Sequence, residues 1–190
     1  MKKLVLTAVL AGLSSFAMAN FYVQGDVAFA KLEAKENGAK IKDSTPSVRF
    51  AYGKDTGDVR YQGDYTYFGK LKNSEAEGEY SYQSKAAAHS LGLAAIYDFG
   101  DFSGFEPYAG ARLGLNYLSL DGQATGPSSF TAVSYDKFNV GAGVLAGVQY
   151  KINPQISADL GAEYNYLGKI GDLNAKLSQY GGKVGLRYNF

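Results

Sequence analysis

The chain has no cysteine, no tryptophan and a single histidine among its 190 residues. Without cysteine there is no disulfide framework and no thiol nucleophile, and with one histidine no Cys/His metal site can be assembled, so no metal and no cofactor is expected. Charge of one sign is missing as well. Lys and Arg number 19 against 18 Asp and Glu, for a net charge of +1, which gives no basis for nucleic-acid binding. Beyond the N-terminus no apolar run approaches the roughly 20 residues of a transmembrane helix. The mean hydropathy of −0.19 reads as that of an ordinary soluble protein. What the chain has in quantity is Gly (24), Tyr (16) and Phe (11), and their spacing contradicts the soluble reading.

Residues 1–19 form a targeting segment. Met1-Lys2-Lys3 is a positive n-region, Leu4 to Leu13 an apolar stretch of h-region length, and Ala17-Met18-Ala19 a small-x-small cleavage site. Cleavage after Ala19 leaves a mature domain of residues 20–190, with 17 basic and 18 acidic residues because Lys2 and Lys3 depart. An exported chain without cysteine fits a Gram-negative envelope, where membrane-embedded strands supply the stability that small secreted domains draw from disulfides.

From Asn20 onward the sequence alternates with a period of two, the mark of strands with two unlike faces. Phe21, Val23, Val27 and Phe29 alternate with Tyr22, Gln24, Asp26 and Ala28. Similar runs cover 47–53, 58–69, a segment ending at Phe99, 107–117, 138–150, 156–166 and 180–190, which makes eight strands. Connectors near 54–57, 100–105 and 151–154 are tight and carry Gly, Asp and Asn-Pro turn chemistry. Those near 33–46, 70–85, 118–136 and 167–178 are longer and polar. Three short turns on one rim and four long loops on the other predict an all-β, eight-stranded antiparallel transmembrane up-and-down β-barrel in the outer membrane, with the short rim and both termini periplasmic.

Residue type assigns the two faces. One face of every strand is almost free of charge. The other carries Asp26, Arg49, Arg60, Asp64, Asp98, Arg112, Asp159, Glu163, Lys183 and Arg187, interspersed with glycine, which suits the crowded lumen of an eight-stranded barrel. Five cations and five anions can close into a network of pairs, and Glu163 and Lys183 are expected to meet across strands seven and eight. Aromatics on the apolar face gather at both strand ends, as interface girdles do. Tyr52, Tyr61, Tyr97 and Tyr150 would mark the periplasmic rim, and Phe29, Tyr65, Tyr117 and Tyr164 the outer one.

The run Tyr97 to Leu120, YDFGDFSGFEPYAGARLGLNYLSL, resembles the strand-turn-strand signature of the opacity family of outer-membrane proteins. The ending GLRYNF, Gly185 to Phe190, is similar to the terminal strand by which barrels are recognised for membrane insertion, with Tyr188 and Phe190 as its aromatics. The resemblance implies a porin-like barrel, kin to OmpA-like and OmpX-like proteins, whose members serve as surface antigens and as adhesins for host-cell receptors. It also implies outer-membrane lipid, lipopolysaccharide and the barrel-assembly machinery as partners, with the chain acting as a monomer.

Enzymatic motifs dissolve on inspection. Gly141-Ala142-Gly143 with Gly147 imitates a dinucleotide-binding pattern, yet no helix follows and all three glycines share one parity of a strand. Asp98-Phe99-Gly100 is a strand end and turn. His89 and Ser90, the one pair suggestive of lipid hydrolysis, are adjacent in a strand and so point to opposite faces. No catalytic residue is assigned. The loops remain, with Tyr80, Tyr82, Phe130 and Tyr135 as candidate aromatic anchors for a partner. A surface antigen and adhesin is the leading expectation; a small porin-like channel lined by the lumen charges and a purely structural barrel are the alternatives.

Overall fold

A computed structural model of the chain describes the backbone of residues 20–36, 39–77, 80–126, 129–170 and 175–190, with the side chains near the four outer hairpin tips left outside the description. Residues 1–19, where a targeting segment is expected, lie outside the described residues. Eight strands follow one another: β1 (Phe21–Glu36), β2 (Ala39–Asp55), β3 (Val59–Glu77), β4 (Tyr80–Asp98), β5 (Phe105–Gly126), β6 (Ser129–Lys151), β7 (Ile156–Ile170) and β8 (Ala175–Asn189). Each pairs antiparallel with its chain neighbours, and β1 pairs with β8, so the sheet closes into a barrel without a free edge.

Period-two alternation places the side chains as the two solvents demand. Phe29 is 72% exposed and Leu93 72%, while Arg60 on the inner face of β3 is 1% exposed. In a soluble protein this would be inverted. Here an apolar exterior and a charged interior are the cheap arrangement, because lipid surrounds the wall and every strand hydrogen bond is internal.

The segments expected as long loops are largely strand. β5 and β6 run for 22 and 23 residues, where about 9–11 suffice to cross a bilayer, so the hairpins stand well clear of the outer interface. The parity signal fails in these extensions for a physical reason. Above the lipid both faces meet water, and a sequence such as Ser119-Leu120-Asp121-Gly122-Gln123 has no apolar side to alternate with a polar one.

Two β-bulges interrupt the outer halves, between Tyr67 and Lys70 in β3 and between Tyr166 and Gly168 in β7. Gly69 and Gly168 take positive φ there, 85° and 106°, which a side chain would strain. A Cβ at Gly69 would also collide with the Thr45 hydroxyl, and one at Gly168 with Asn139. The bulges leave Phe68 (0% exposed) and Leu167 (1%) inside the barrel, where they meet Leu32, Ala88, Leu118 and Leu177.

Candidate functional site: a charged lumen under an apolar seal

The ten inner-face charges are all buried, and nine of them interlock in three groups. Near the periplasmic end Arg60 donates from Nε and Nη2 to the two oxygens of Asp98, both at 2.6 Å, a fork-to-fork pair. Its guanidinium lies 5.2 Å from the centre of the Tyr108 ring and 6.0 Å from that of Tyr22. Farther in, Lys183 Nζ sits 2.6 Å from Asp159 Oδ1 and 3.4 Å from Asp26 Oδ1. The Tyr108 hydroxyl donates to the same Asp159 oxygen at 3.0 Å, and Gln24 Nε2 donates to Asp26 at 2.8 Å.

The third group spans the barrel. Arg112 donates from Nε and Nη2 to Asp64 at 2.8 and 2.6 Å, and Asp64 also accepts from Thr66 Oγ1 at 2.8 Å. Arg49 lies 3.6 Å from Asp64 and donates to Glu163 of β7 at 2.6 Å. Lumen glycines make room for these large groups, since a Cβ at Gly92 would run into the Arg112 guanidinium. The expected Glu163–Lys183 pair does not form. In register Glu163 faces Gly181 and Lys183 faces Gly161, so the two sit two residues out of step; Glu163 pairs with Arg49 across the lumen, and Lys183 with Asp159 of β7 and Asp26 of β1.

Arg187 is the tenth charge and pairs outside the expected set, with Asp55 at 2.6 Å, while its guanidinium lies 4.1 Å from the Tyr22 ring centre. The inner-face parity of Arg49, Ala51 and Gly53 continues to Asp55, so the signal was present; ending the second strand at Gly53 hid it. Between Asp26, Ser47, Arg49, Thr66, Glu163 and Lys183 no space large enough for a water molecule remains. The interior is a packed ionic plug rather than a lined bore.

Above the plug the lumen changes character. Asn116 donates to the Leu167 carbonyl at 3.0 Å and Asn165 to Gln179 at 2.8 Å, and beyond these amides lies the six-residue layer of Leu32, Phe68, Ala88, Leu118, Leu167 and Leu177. These residues have the parity of the lumen charges, so an apolar side chain at an inner position near each strand's outer end was the available signal. This layer sets hydrocarbon above the charged plug.

Outside, the aromatic girdles take their expected places. Phe21 stacks on Tyr52 (5.5 Å between ring centres) and Tyr97 meets Phe99 edge-on at the periplasmic rim, while Tyr117 packs on Phe138 at the outer one. His89 belongs to the outer girdle, with Nδ1 2.7 Å from the Tyr65 hydroxyl and its ring against Tyr67. Ser90 faces inward and accepts from Arg112 Nη2 at 3.1 Å, so the two residues lie on opposite sides of the wall. Gly141 and Gly143 are buried toward the lumen, and a Cβ on Gly147 would meet the Tyr108 hydroxyl there, which accounts for the glycine spacing. Tyr188 packs edge-on against Phe190 at the chain's end, whose amide donates to Phe21. The side chains of Tyr80, Tyr82, Phe130 and Tyr135 lie outside the described residues. Among the described residues no three His, Asp or Glu side chains converge on a point that could hold a metal ion.

A closed eight-stranded barrel with lipid-facing girdles and a filled, charged lumen defines a small outer-membrane protein of the Gram-negative envelope. Residues 52–190 match the family profile described as "Opacity family porin protein", and the chain belongs to the opacity family. It is 35% identical over 138 residues to "Protein opa" of Haemophilus influenzae, covering 73% of this chain and 99% of that one. To the opacity protein opA67 of Neisseria gonorrhoeae it is 28% identical, over 89% of this chain and 96% of that one. Among solved structures it is similar to Neisserial surface protein A, with a TM-score of 0.63 and 32% identity over 90% of this chain and 98% of the other.

Proposed function

We propose that this chain is a non-enzymatic surface protein that acts through its outer hairpins, as a surface antigen and as an adhesin for a host-cell receptor. The observation that carries the reading is the sealed lumen. An ionic plug with no water-sized space between its central charges, under a cluster of hydrocarbon side chains, argues against a solute path and directs attention to the hairpins built from the outer parts of β1–β2, β3–β4, β5–β6 and β7–β8. The family relationship to proteins named for opacity supports it. Tyr80 and Tyr82 at the start of β4, and Phe130 and Tyr135 in β6, are the aromatic anchors of the proposed binding surface. The protein works as a monomer, exported by residues 1–19 and inserted by the barrel-assembly machinery through its Tyr188–Phe190 ending.

The test is display of the protein on a non-adherent Gram-negative host, with epithelial-cell binding compared to that of a version whose second and third hairpins are cut to short Gly/Ser turns. Adhesion that disappears with the hairpins supports a hairpin-borne adhesin. Adhesion no greater than that of the empty host overturns it in favour of a structural barrel, and steady conductance of the purified protein would return the channel reading.

A further inference from the structure

The three periplasmic turns are not alike. Thr56-Gly57-Asp58 between β2 and β3 and Asn153-Pro154-Gln155 between β6 and β7 are polar, whereas the β4–β5 connection reads Phe99-Gly100-Asp101-Phe102-Ser103-Gly104-Phe105. Three aromatic residues in these seven are a heavy load for a turn, a kind of segment that favours Gly, Pro, Asn, Asp and Ser. Its geometry is fixed. Phe102 and Phe105 exchange backbone hydrogen bonds of 2.8 and 3.3 Å around Ser103 and Gly104, both at positive φ (58° and 90°), as in a type I′ two-residue hairpin. Ser103 thus holds a left-handed backbone that residues other than glycine seldom take. Asp101 braces the loop, accepting from the Gly104 amide on Oδ1 and from Lys151 Nζ on Oδ2, both at 2.7 Å, and the Lys151 amide donates to the Gly104 carbonyl at 2.9 Å.

Pairing shows which way the aromatics face. Residues directly opposite one another in an antiparallel pair lie on the same side of the sheet, so Phe102 takes the side of Phe105, and Phe105 that of its register partner Tyr150. Phe105 continues the outward parity of Leu113 and Leu115, and its ring lies 4.9 Å from that of Tyr150. Ile152 follows Tyr150 in the same parity. Phe99, Phe102, Phe105, Tyr150 and Ile152 are all between 46% and 61% exposed, and they continue the girdle pair of Tyr97 and Phe99 without a gap. On the β2–β3 side the outward column passes instead from Tyr52 to Lys54, so the apolar wall stops there at the girdle. The charges of the β4–β5 turn lie on its other side. Lys151 and Glu106 have the parity of the lumen, 3.7 Å apart, with Asp101 on the same ammonium group. The turn therefore sets hydrocarbon toward the lipid and charge toward the periplasmic mouth.

We infer that this turn is a membrane foot: Phe102, Phe105 and Ile152 insert among the phospholipids of the inner leaflet and fix the height of the barrel in the bilayer on its β4–β6 side. Lipid is the occupant because the patch is continuous with the girdle that already meets it, and because the polar side of the same turn looks to water, as an interfacial segment requires. The brace explains itself in these terms. A loose turn could fold its rings under the mouth, whereas a type I′ hairpin tied to Lys151 holds them against the leaflet. The foot lies on the rim opposite the hairpins and does not depend on the adhesin reading.

The lack of tryptophan makes the test direct, because an introduced indole is the only one in the chain. Phe102→Trp and, on the polar turn, Thr56→Trp are refolded as whole barrels into phosphatidylcholine–phosphatidylglycerol vesicles with and without bromine on the acyl chains. Brominated chains should quench Phe102→Trp by about twofold or more and leave Thr56→Trp nearly unchanged, and aqueous acrylamide should do the reverse. Quenching dominated by acrylamide at both positions overturns the foot and leaves the patch facing the periplasm, open to a soluble partner. An indole seeks the interface by itself, so the contrast is repeated with cysteine, which the chain also lacks. A water-soluble maleimide should label Thr56→Cys at least about 10-fold faster than Ile152→Cys, and equal rates overturn the foot as well. The mobility difference between unheated and boiled samples verifies folding. Should Phe102→Trp fail to fold, Phe105→Trp, on the same side of the turn, is read instead.

Discussion

Replacing Asp64 by asparagine keeps the shape of the side chain and removes one charge from the centre of the plug. Arg112 then loses the only carboxylate it pairs with among the described residues and keeps a hydrogen bond to Ser90, while Arg49 retains Glu163. A buried cation left without its partner costs about 3–5 kcal/mol. That range corresponds to roughly two to three and a half decades in the unfolding equilibrium. The pair removed together, Asp64→Leu with Arg112→Met, should recover most of that loss, because hydrocarbon replaces two desolvated charges while Arg49 keeps Glu163 and Thr66 gives up one hydrogen bond. Denaturant titration of the barrel refolded into lipid vesicles measures both. Tyrosine emission and the mobility of unheated samples serve as readouts, since the chain has no tryptophan. An Asp64→Asn variant that loses less than about 1 kcal/mol would refute the reasoning, because only a water-filled lumen screens a lone guanidinium that well, and a wet lumen would make conduction a live reading.

Three further outcomes follow from the same geometry. Gly92→Ala should cost about 1–3 kcal/mol by driving a methyl group into the Arg112 guanidinium, whereas Gly63→Ala, outward-facing with nothing nearer than 3.9 Å, should stay within about 0.5 kcal/mol; equal costs in vesicle unfolding would contradict the packed lumen. In planar bilayers the wild type, Arg112→Gln and Glu163→Gln should all show no steady current, because the apolar layer above them is untouched; conductance steps in the wild type would sink the seal. At the periplasmic turn, Lys151 Nζ and the Gly104 amide, each donating at 2.7 Å, hold the Asp101 carboxyl below its usual range. The stabilisation this gives is present above the unfolded-state value of about 3.9 and is lost as the pH falls through the lowered one, so a carboxyl NMR titration of Asp101 with a midpoint at or above about 3.9 would show that the contact is not made in solution.

Much of this architecture could be read from the residues because lipid enforces it. A strand in a bilayer cannot place Asp26 or Arg49 outward without a large cost, so parity alone divides wall from lumen, and the eight strands and two girdles follow. Where that constraint ends, so did the reading. The outer halves of β5 and β6 have water on both faces and no alternation to reveal them, so their sequence reads as loop. Pairing inside the lumen was legible as a balance of five and five but not as partners. Glu163 reaches Arg49 across the barrel because shear sets which rows meet, and shear is a property of closure that no single strand encodes. The seal was hidden for a related cause. Leu118 and Leu167 continue the inner parity, yet each reads as the start of a polar loop until the bulges at Gly69 and Gly168 and the closed sheet bring six such residues to one level.

The near-zero mean hydropathy that first suggests a soluble protein is itself a consequence of this design. An eight-stranded barrel spends its apolar residues on lipid and must fill the inside with something, and a hydrocarbon interior of the same sequence length would make both faces of every strand apolar, erasing the difference that fixes register. Charges inside restore it, since a one-residue slip would expose Arg60 or Asp159 to acyl chains and bury Tyr61 or Leu160 among ions. The ionic plug therefore specifies the barrel as much as it fills it. The same side chains that hold the register also fill the lumen, since no water-sized space remains between Asp26, Arg49, Glu163 and Lys183.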